Sequence, residues 1–166
     1  MKLTPQPTLL AIDPGTSKSG WVSISAGQIV DAGVSDNAAI LLKIQTMAPA
    51  CIAIEWIQSM GMQVGQEVFE TCLWVGRFIQ IAPKFTQIIR VPRTQVKLHH
   101  CGSARAKDPN VSAALREKYG EKGTKKEPGY FYLVSSHAWQ AFAVGAYVME
   151  GAPSDRCIIE QGGNSW

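Results

Sequence analysis

Two carboxylates stand directly after short apolar runs. Asp13 ends the segment Leu9-Leu-Ala-Ile-Asp just before a Pro-Gly pair, and Glu55 ends the segment Cys51-Ile-Ala-Ile-Glu. A carboxylate that follows a buried strand is costly to bury unless it is paired or binds a cation. If the two strands are neighbours, their carboxylates can share a divalent metal ion. The alternative is that Asp13 caps the Asp-Pro-Gly-Thr turn and that Glu55 points to solvent.

The predicted strands, helices and turns decide where these carboxylates lie. Apolar or alternating segments bounded by Gly and Pro predict strands, and apolar residues at helical spacing predict helices. The predicted strands cover residues 9–13, 20–25, 28–34, 51–55 and 87–91, and the predicted helices run from 36 or 37 to 47, 67 to 81, 108 to 118, and 135 or 136 to 149. Short Gly-containing turns join the first three strands into an antiparallel meander. The order is therefore β-β-β-α-β-α-β, followed by two further helices.

Length and composition limit the class of protein. The chain has 166 residues, 46% of them hydrophobic and 17% charged, which is typical of a single domain with its own core. We expect that core over residues 8–150 and a C-terminal tail over residues 151–166. No run approaches the roughly 18 to 20 apolar residues of a membrane span, and the start lacks the pattern of a signal peptide. The expectation is a cytoplasmic protein that makes no contact with membranes.

The four cysteines are far apart and form no CxxC pair, which indicates neither a zinc site nor a disulfide framework. Cys51 and Cys72 lie inside apolar runs. We therefore expect both to behave as small core residues.

Positive charge is concentrated in one part of the chain. Residues 84–130 hold eleven Lys and Arg against four acids, although the whole chain has a net charge of only +3. The rest of the chain is therefore slightly acidic. This asymmetry favours a polyanion held near a carboxylate site, and the alternative is a solvated basic surface without a partner.

Several short motifs follow one another along residues 8–148. The motifs are Leu10-Ala-Ile-Asp-Pro-Gly-Thr-Ser with Gly20-Trp-Val, then Ile52-Ala-Ile-Glu, Glu67-Val-Phe-Glu-Thr and Gly76-Arg-Phe, then Gln95-Val-Lys with Gly102 and Ala106-Lys-Asp, and finally Ser135-Ser-His-Ala-Trp-Gln-Ala. Together they resemble the RuvC-type Holliday-junction resolvases, in particular the shorter versions carried by phages and prophages.

The resemblance implies a fold, a partner and a reaction. The implied fold is an RNase H-like α/β domain with a five-stranded mixed sheet flanked by helices, and the implied assembly is a homodimer. The implied reaction is magnesium-dependent cleavage of branched DNA by two-metal phosphodiester hydrolysis, with Asp13 bridging the cations and Glu55 and His137 flanking them. The DNA phosphates would be held, without base contacts, by residues of the basic segment. These residues are Arg93, Lys97, Arg105, Lys107, Lys122, Lys125 and Lys126.

The last helix departs from the family pattern. The bacterial family usually begins it with Asp-Ala-Ala-Asp-Ala, whereas this chain has His137-Ala-Trp-Gln-Ala. His137 can bind a metal through a neutral imidazole nitrogen, which suits Mn²⁺ better than Mg²⁺. Gln140 lies one turn further on the same helix face and offers a neutral oxygen. The alternative for His137 is a helix-start residue that hydrogen-bonds to Ser135 or Ser136.

Lys107 and Asp108 occupy the position of an Ala-Asp-Lys-like segment of the family. The resemblance implies that Asp108 supplies missing negative charge and that Lys107 neutralises charge on the reacting phosphate. Asp108 followed by proline is also a common helix start, so an N-cap role remains the alternative. The sequence further predicts that His99 and His100 are exposed loop residues near DNA and that Glu67 and Glu70 lie on a solvated edge or at a subunit contact.

Two other functions fit parts of the sequence. A non-catalytic protein that binds branched DNA would retain the fold after losing the acids of the last helix. Asp13-Pro-Gly-Thr also resembles the first phosphate loop of the actin and sugar-kinase group, which binds ATP between two lobes. The sequence contains no second Asp-x-Gly-Thr motif, which argues against this ATP-binding alternative.

Overall fold

The computed structural model describes residues 8–59, 61, 63–151 and 157–159. The strands are β1 Thr8–Asp13, β2 Lys18–Ser25, β3 Gln28–Asp36, β4 Cys51–Trp56, β5 Gln87–Pro92 and β6 Cys157–Ile159. The helices are α1 Asn37–Met47, α2 Gln66–Ile81, α3 Arg93–Cys101, α4 Asp108–Tyr119 and α5 Ala138–Met149. The five predicted strands and the four predicted helices are therefore all present.

The strands form one mixed sheet in the order β3-β2-β1-β4-β5-β6. β1, β2 and β3 form the predicted antiparallel meander, while β1, β4 and β5 are parallel neighbours. This arrangement confirms the predicted α/β fold with a mixed sheet. β6 adds a sixth strand, antiparallel to β5, from residues expected in the tail. A segment of three residues is too short to give an alternation signal.

Alternation along the central strands creates a separate core on each face of the sheet. Leu10 and Ile12 of β1 pack with apolar residues of α1 and α2 on one face, and Ala11 packs with α5 on the other. Because successive side chains point to opposite faces, Asp13 continues the row of Ala11. Gly145 allows α5 to lie close to this face, since a Cβ there would be 3.0 Å from the Ala11 Cβ.

Three details of the sequence interpretation are wrong. The helix α3 was not predicted, because only Val96 of its nine residues is buried and the apolar signal is weak. His99 and His100 lie on this helix and are half-buried, so they are not exposed loop residues. Cys72 is exposed on α2 rather than part of the core. None of the helices in the described part of the chain is long and apolar enough to cross a membrane.

Candidate active site

The two carboxylates meet at one edge of the sheet. Ile12 of β1 pairs with Ile54 of the parallel neighbour β4, so Asp13 and Glu55 both follow at the next position. Their side chains are only 11% and 10% exposed. His137, which directly precedes α5, places its Nδ1 3.5 Å from Asp13 Oδ2. The structure therefore brings together three of the four residues predicted from the sequence as metal ligands, Asp13, Glu55 and His137.

A buried polar network holds the loop that follows Asp13. The Asn37 side chain, 1% exposed, donates from Nδ2 to the Gly15 carbonyl oxygen at 2.9 Å and accepts from the Ser19 hydroxyl at 2.6 Å. Gly20 lets the start of α5 approach β2, because a Cβ there would lie 2.4 Å from the His137 carbonyl oxygen. Asn37 thus fixes the loop on one side of Asp13, and Gly20 permits the close approach of His137 on the other.

The electrostatics of the two carboxylates favour a cation. Burial, followed by the neighbouring charge of Glu55, raises the pKa of Asp13 to about 7. Burial also raises the pKa of Glu55, although the guanidinium of Arg93 opposes that shift. Two buried carboxylates with raised pKa values are short of positive charge. Oxygen donors of this kind, with one imidazole nitrogen at the opening, are chemically suited to a divalent cation.

Arg93 is a site residue whose position the sequence interpretation missed. Its Nη1 donates to Glu55 Oε1 at 3.0 Å, and its Nη2 contacts both carboxylate oxygens of Asp108 at 2.8 and 2.7 Å. Arg93 follows β5 directly, so it leaves the sheet at the same edge as Asp13 and Glu55. The rule that located the two acids would also have located Arg93, which was instead assigned to DNA binding alone.

Asp108 belongs to the cleft and is not the N-cap of α4. It is the first residue of that helix, with Lys107 at the cap position, and its carboxylate accepts from Arg93. Lys97 also approaches it, with Nζ 3.4 Å from Asp108 Oδ1. Lys107 is exposed, and it is not among the residues that line the cleft around Asp13.

The cleft itself has a volume of about 630 Å³. Its lining includes Asp13, Arg93, Asp108, His137 and Gln140, together with the loop of residues 14–18. The His137 side chain is 69% exposed and makes no capping hydrogen bond. This exposure favours a ligand role over the alternative in which the ring bonds to Ser135 or Ser136.

Three comparisons with known proteins bear on the fold. No family model matches the sequence, and the curated proteins give no match either. The structure of Thermus thermophilus RuvC matches with a TM-score of 0.65 and 16% identity, covering 92% of this chain and 99% of that one. T. thermophilus RuvC in complex with Holliday junction substrate matches with a TM-score of 0.66 and 16% identity, covering 93% and 100%.

This chain has the fold of RuvC. This similarity confirms the RNase H-like fold that the sequence resemblance implied. In this RuvC fold the catalytic candidates lie where β1 and β4 end, and α5 begins beside them.

The basic residues divide into two groups on the RuvC fold. Lys97 and Arg93 contact the acids of the cleft, as described above. Arg105, Lys122, Lys125 and Lys126 are exposed. Residues 120–129 form a small turn structure that is closed by a bridge between Gly123 and Pro128. The side chains of the second group are therefore accessible to solvent.

A second cluster of possible metal ligands lies at the far end of α5. Ligand atoms of His99, His100 and Glu150 are all within 4.8 Å of one another. However, Lys118 Nζ already lies 2.7 Å from Glu150 Oε2, and Tyr119 donates to Glu150 Oε1. His100 Nε2 is 2.9 Å from the Ala143 carbonyl oxygen. The carboxylate of this cluster already has its positive partner, so the cluster is best described as a link between α3, α4 and α5.

Proposed function

We propose that the protein is a metal-dependent endonuclease that cuts branched DNA, four-way junctions in particular. The observation that carries the proposal is the pair of buried carboxylates, Asp13 and Glu55, at one edge of a RuvC fold, where a single guanidinium, that of Arg93, is hydrogen-bonded to Glu55. One of the matching RuvC structures holds a Holliday junction substrate. Four-way junctions are therefore the substrate class that we propose for this chain.

Asp13, Glu55 and His137 would hold two divalent cations, Mg²⁺ or Mn²⁺, and Gln140 would offer a further oxygen donor. Bound divalent cations supply charge neutralisation at the phosphate and lower the pKa of the attacking water. Asp13 must be ionised to bind a cation. Because its pKa is about 7, it is partly protonated near neutral pH and would lose this proton on cation binding. Lys107, which is exposed and adjacent in sequence to the cleft residue Asp108, would neutralise charge on the phosphate from outside the cleft lining. The expected product carries a 5′-phosphate.

The exposed basic residues support DNA binding through phosphates. Arg105, Lys122, Lys125 and Lys126 are solvent-exposed and can contact a backbone without reading bases. Such contacts give an affinity that falls as the salt concentration rises.

An exposed apolar face on α2 supports the proposed homodimer. Phe69 and Leu73 are four residues apart on this helix and are 66% and 63% exposed. Exposed apolar neighbours of this size are typical of an interaction surface. A twofold dimer would present two equivalent clefts to the strands of a symmetric junction.

The test is a cleavage assay on a labelled four-way junction, with a duplex of the same sequence as control. We expect junction cleavage in Mg²⁺ or Mn²⁺, none in a chelator, and little on the duplex. Binding of the junction without cleavage in either metal would favour the non-catalytic DNA-binding alternative. Binding of ATP without binding of the junction would favour the kinase-like alternative.

A further inference from the structure

Arg93 lies between Asp108, which lines the cleft, and Glu55, and its hydrogen bonds are shared unequally between the two acids. It makes one hydrogen bond to Glu55, at 3.0 Å, and two to Asp108, at 2.8 and 2.7 Å. The Arg93 side chain is 41% exposed, whereas that of Glu55 is 10% exposed. The guanidinium can therefore be held by Asp108 and solvent without Glu55, but Glu55 has few other partners.

A cation that binds Glu55 must compete with this guanidinium. Arg93 occupies Glu55 Oε1 and places a like charge beside any metal that the same carboxylate would bind. The strength of the competition depends on how firmly Asp108 holds Arg93. A paired carboxylate with two short, charge-assisted hydrogen bonds holds an arginine more firmly than one with a single bond.

We propose that Asp108 is a positioning residue for cation binding: it retains Arg93 so that Glu55 can exchange its hydrogen bond to Arg93 for a divalent cation. This inference rests on the proposed cation site at Asp13 and Glu55. Lys97, 3.4 Å from Asp108 Oδ1, shares Asp108 with Arg93 and moderates its hold. Asp108 thus acts through Arg93 and not as a ligand.

The test is a double-mutant cycle on Mn²⁺ affinity, measured without DNA from the electron paramagnetic resonance signal of free Mn²⁺. Asp108→Asn should weaken Mn²⁺ binding by about tenfold, because Arg93 then pairs fully with Glu55. Arg93→Gln should tighten binding by about threefold or more, because the competing charge is gone. In the double variant the Asp108 effect should shrink to less than about threefold.

Two controls accompany the cycle. Lys84→Gln removes an exposed positive charge outside the cleft and should leave Mn²⁺ affinity unchanged. Circular-dichroism melts establish that each variant is folded, and Arg93→Met replaces Arg93→Gln if the latter is not.

Three outcomes overturn the inference. If Asp108→Asn weakens Mn²⁺ binding equally in both backgrounds, Asp108 is a ligand in its own right. If Arg93→Gln weakens binding, Arg93 supports the site rather than competing for it. If no variant binds Mn²⁺, both the inference and the cation site fail. A cycle that behaves as expected in a protein that cuts no DNA would sustain the inference and reject the nuclease function.

Discussion

The two ends of helix α5 each carry a carboxylate centre, and the two centres are neutralised to opposite degrees. At the start of the helix, Asp13 and Glu55 are buried with Arg93 as their nearest strong positive partner. At its end, Glu150 accepts from Lys118 and Tyr119 and contacts His99 at 2.7 Å. Twelve helical residues, or about 18 Å, separate the two centres.

Their pKa values differ accordingly. Burial raises the pKa of Asp13 to about 7. Burial also acts on Glu150, but the hydrogen bonds from Lys118, Tyr119 and His99 outweigh it and lower its pKa to about 2. A carboxylate with a lowered pKa stabilises the folded protein, whereas one with a raised pKa destabilises it when ionised. The second centre, at the end of α5, therefore stabilises the fold, whereas the first centre, at its start, is the one proposed to bind a cation.

The largest expected effect is on catalysis. Asp13→Asn or Glu55→Gln should lower single-turnover cleavage of a four-way junction by at least about 10³-fold. Junction affinity should stay the same or increase, because each change removes a negative charge near the phosphates. Cleavage by Glu150→Gln should stay within about threefold of wild type, since Glu150 belongs to the structural centre. Equal loss in the Glu150 variant would remove the distinction between the two centres.

His137 gives the next largest effect. His137→Ala should slow cleavage by about 10- to 100-fold through loss of a ligand, and its melting temperature should be unchanged because the side chain is exposed. His137→Asp should keep substantial activity in Mg²⁺, since it supplies an oxygen and a negative charge. The measurement is single-turnover cleavage in Mg²⁺ and in Mn²⁺, with melts as the folding control. A folded His137→Ala protein with wild-type rates would exclude His137 from the metal site.

The sequence predicted the first centre better than the second for a physical reason. Asp13 and Glu55 each follow a local apolar run, so their position at strand ends is visible in five residues of sequence. The contacts of Glu150 with Tyr119 and His99 join positions 31 and 51 residues apart, and no local pattern marks them. Arg93 is an intermediate case. The sequence shows that it follows β5, but its helix α3 has a weak apolar signal.

Loss of the Glu150 carboxylate should act on stability. Glu150→Gln removes the negative charge and leaves a single acceptor oxygen for Lys118, His99 and Tyr119, so it should lower the free energy of unfolding by about 1–3 kcal/mol. Glu117→Gln is the matched control on α4, exposed and expected to stay within about 0.5 kcal/mol of wild type. Urea denaturation at neutral pH measures both. A Glu150 variant as stable as the Glu117 variant would show that the network contributes nothing to the fold.

The smallest effect is a pH dependence that separates the two centres by sign. Asp13 has a raised pKa in the folded protein, so between pH 4 and pH 7 the folded protein holds a proton that the unfolded chain has lost. The free energy of unfolding therefore falls as pH rises from about 4 to about 7. Glu150 has a lowered pKa, so its contribution is present above about 4.5 and is lost as pH falls toward about 2. In metal-free protein, Asp13→Asn should therefore melt close to wild type at pH 4 and several degrees higher at pH 7, where its free energy of unfolding should be larger by roughly 1–3 kcal/mol.

Mn²⁺ at pH 7 should raise the melting temperature of wild type and should raise that of Asp13→Asn much less, because binding to the folded state stabilises it. A melting difference between the two proteins that is the same at pH 4 and pH 7 would mean that Asp13 does not titrate in this range, and that its carboxylate has a partner already.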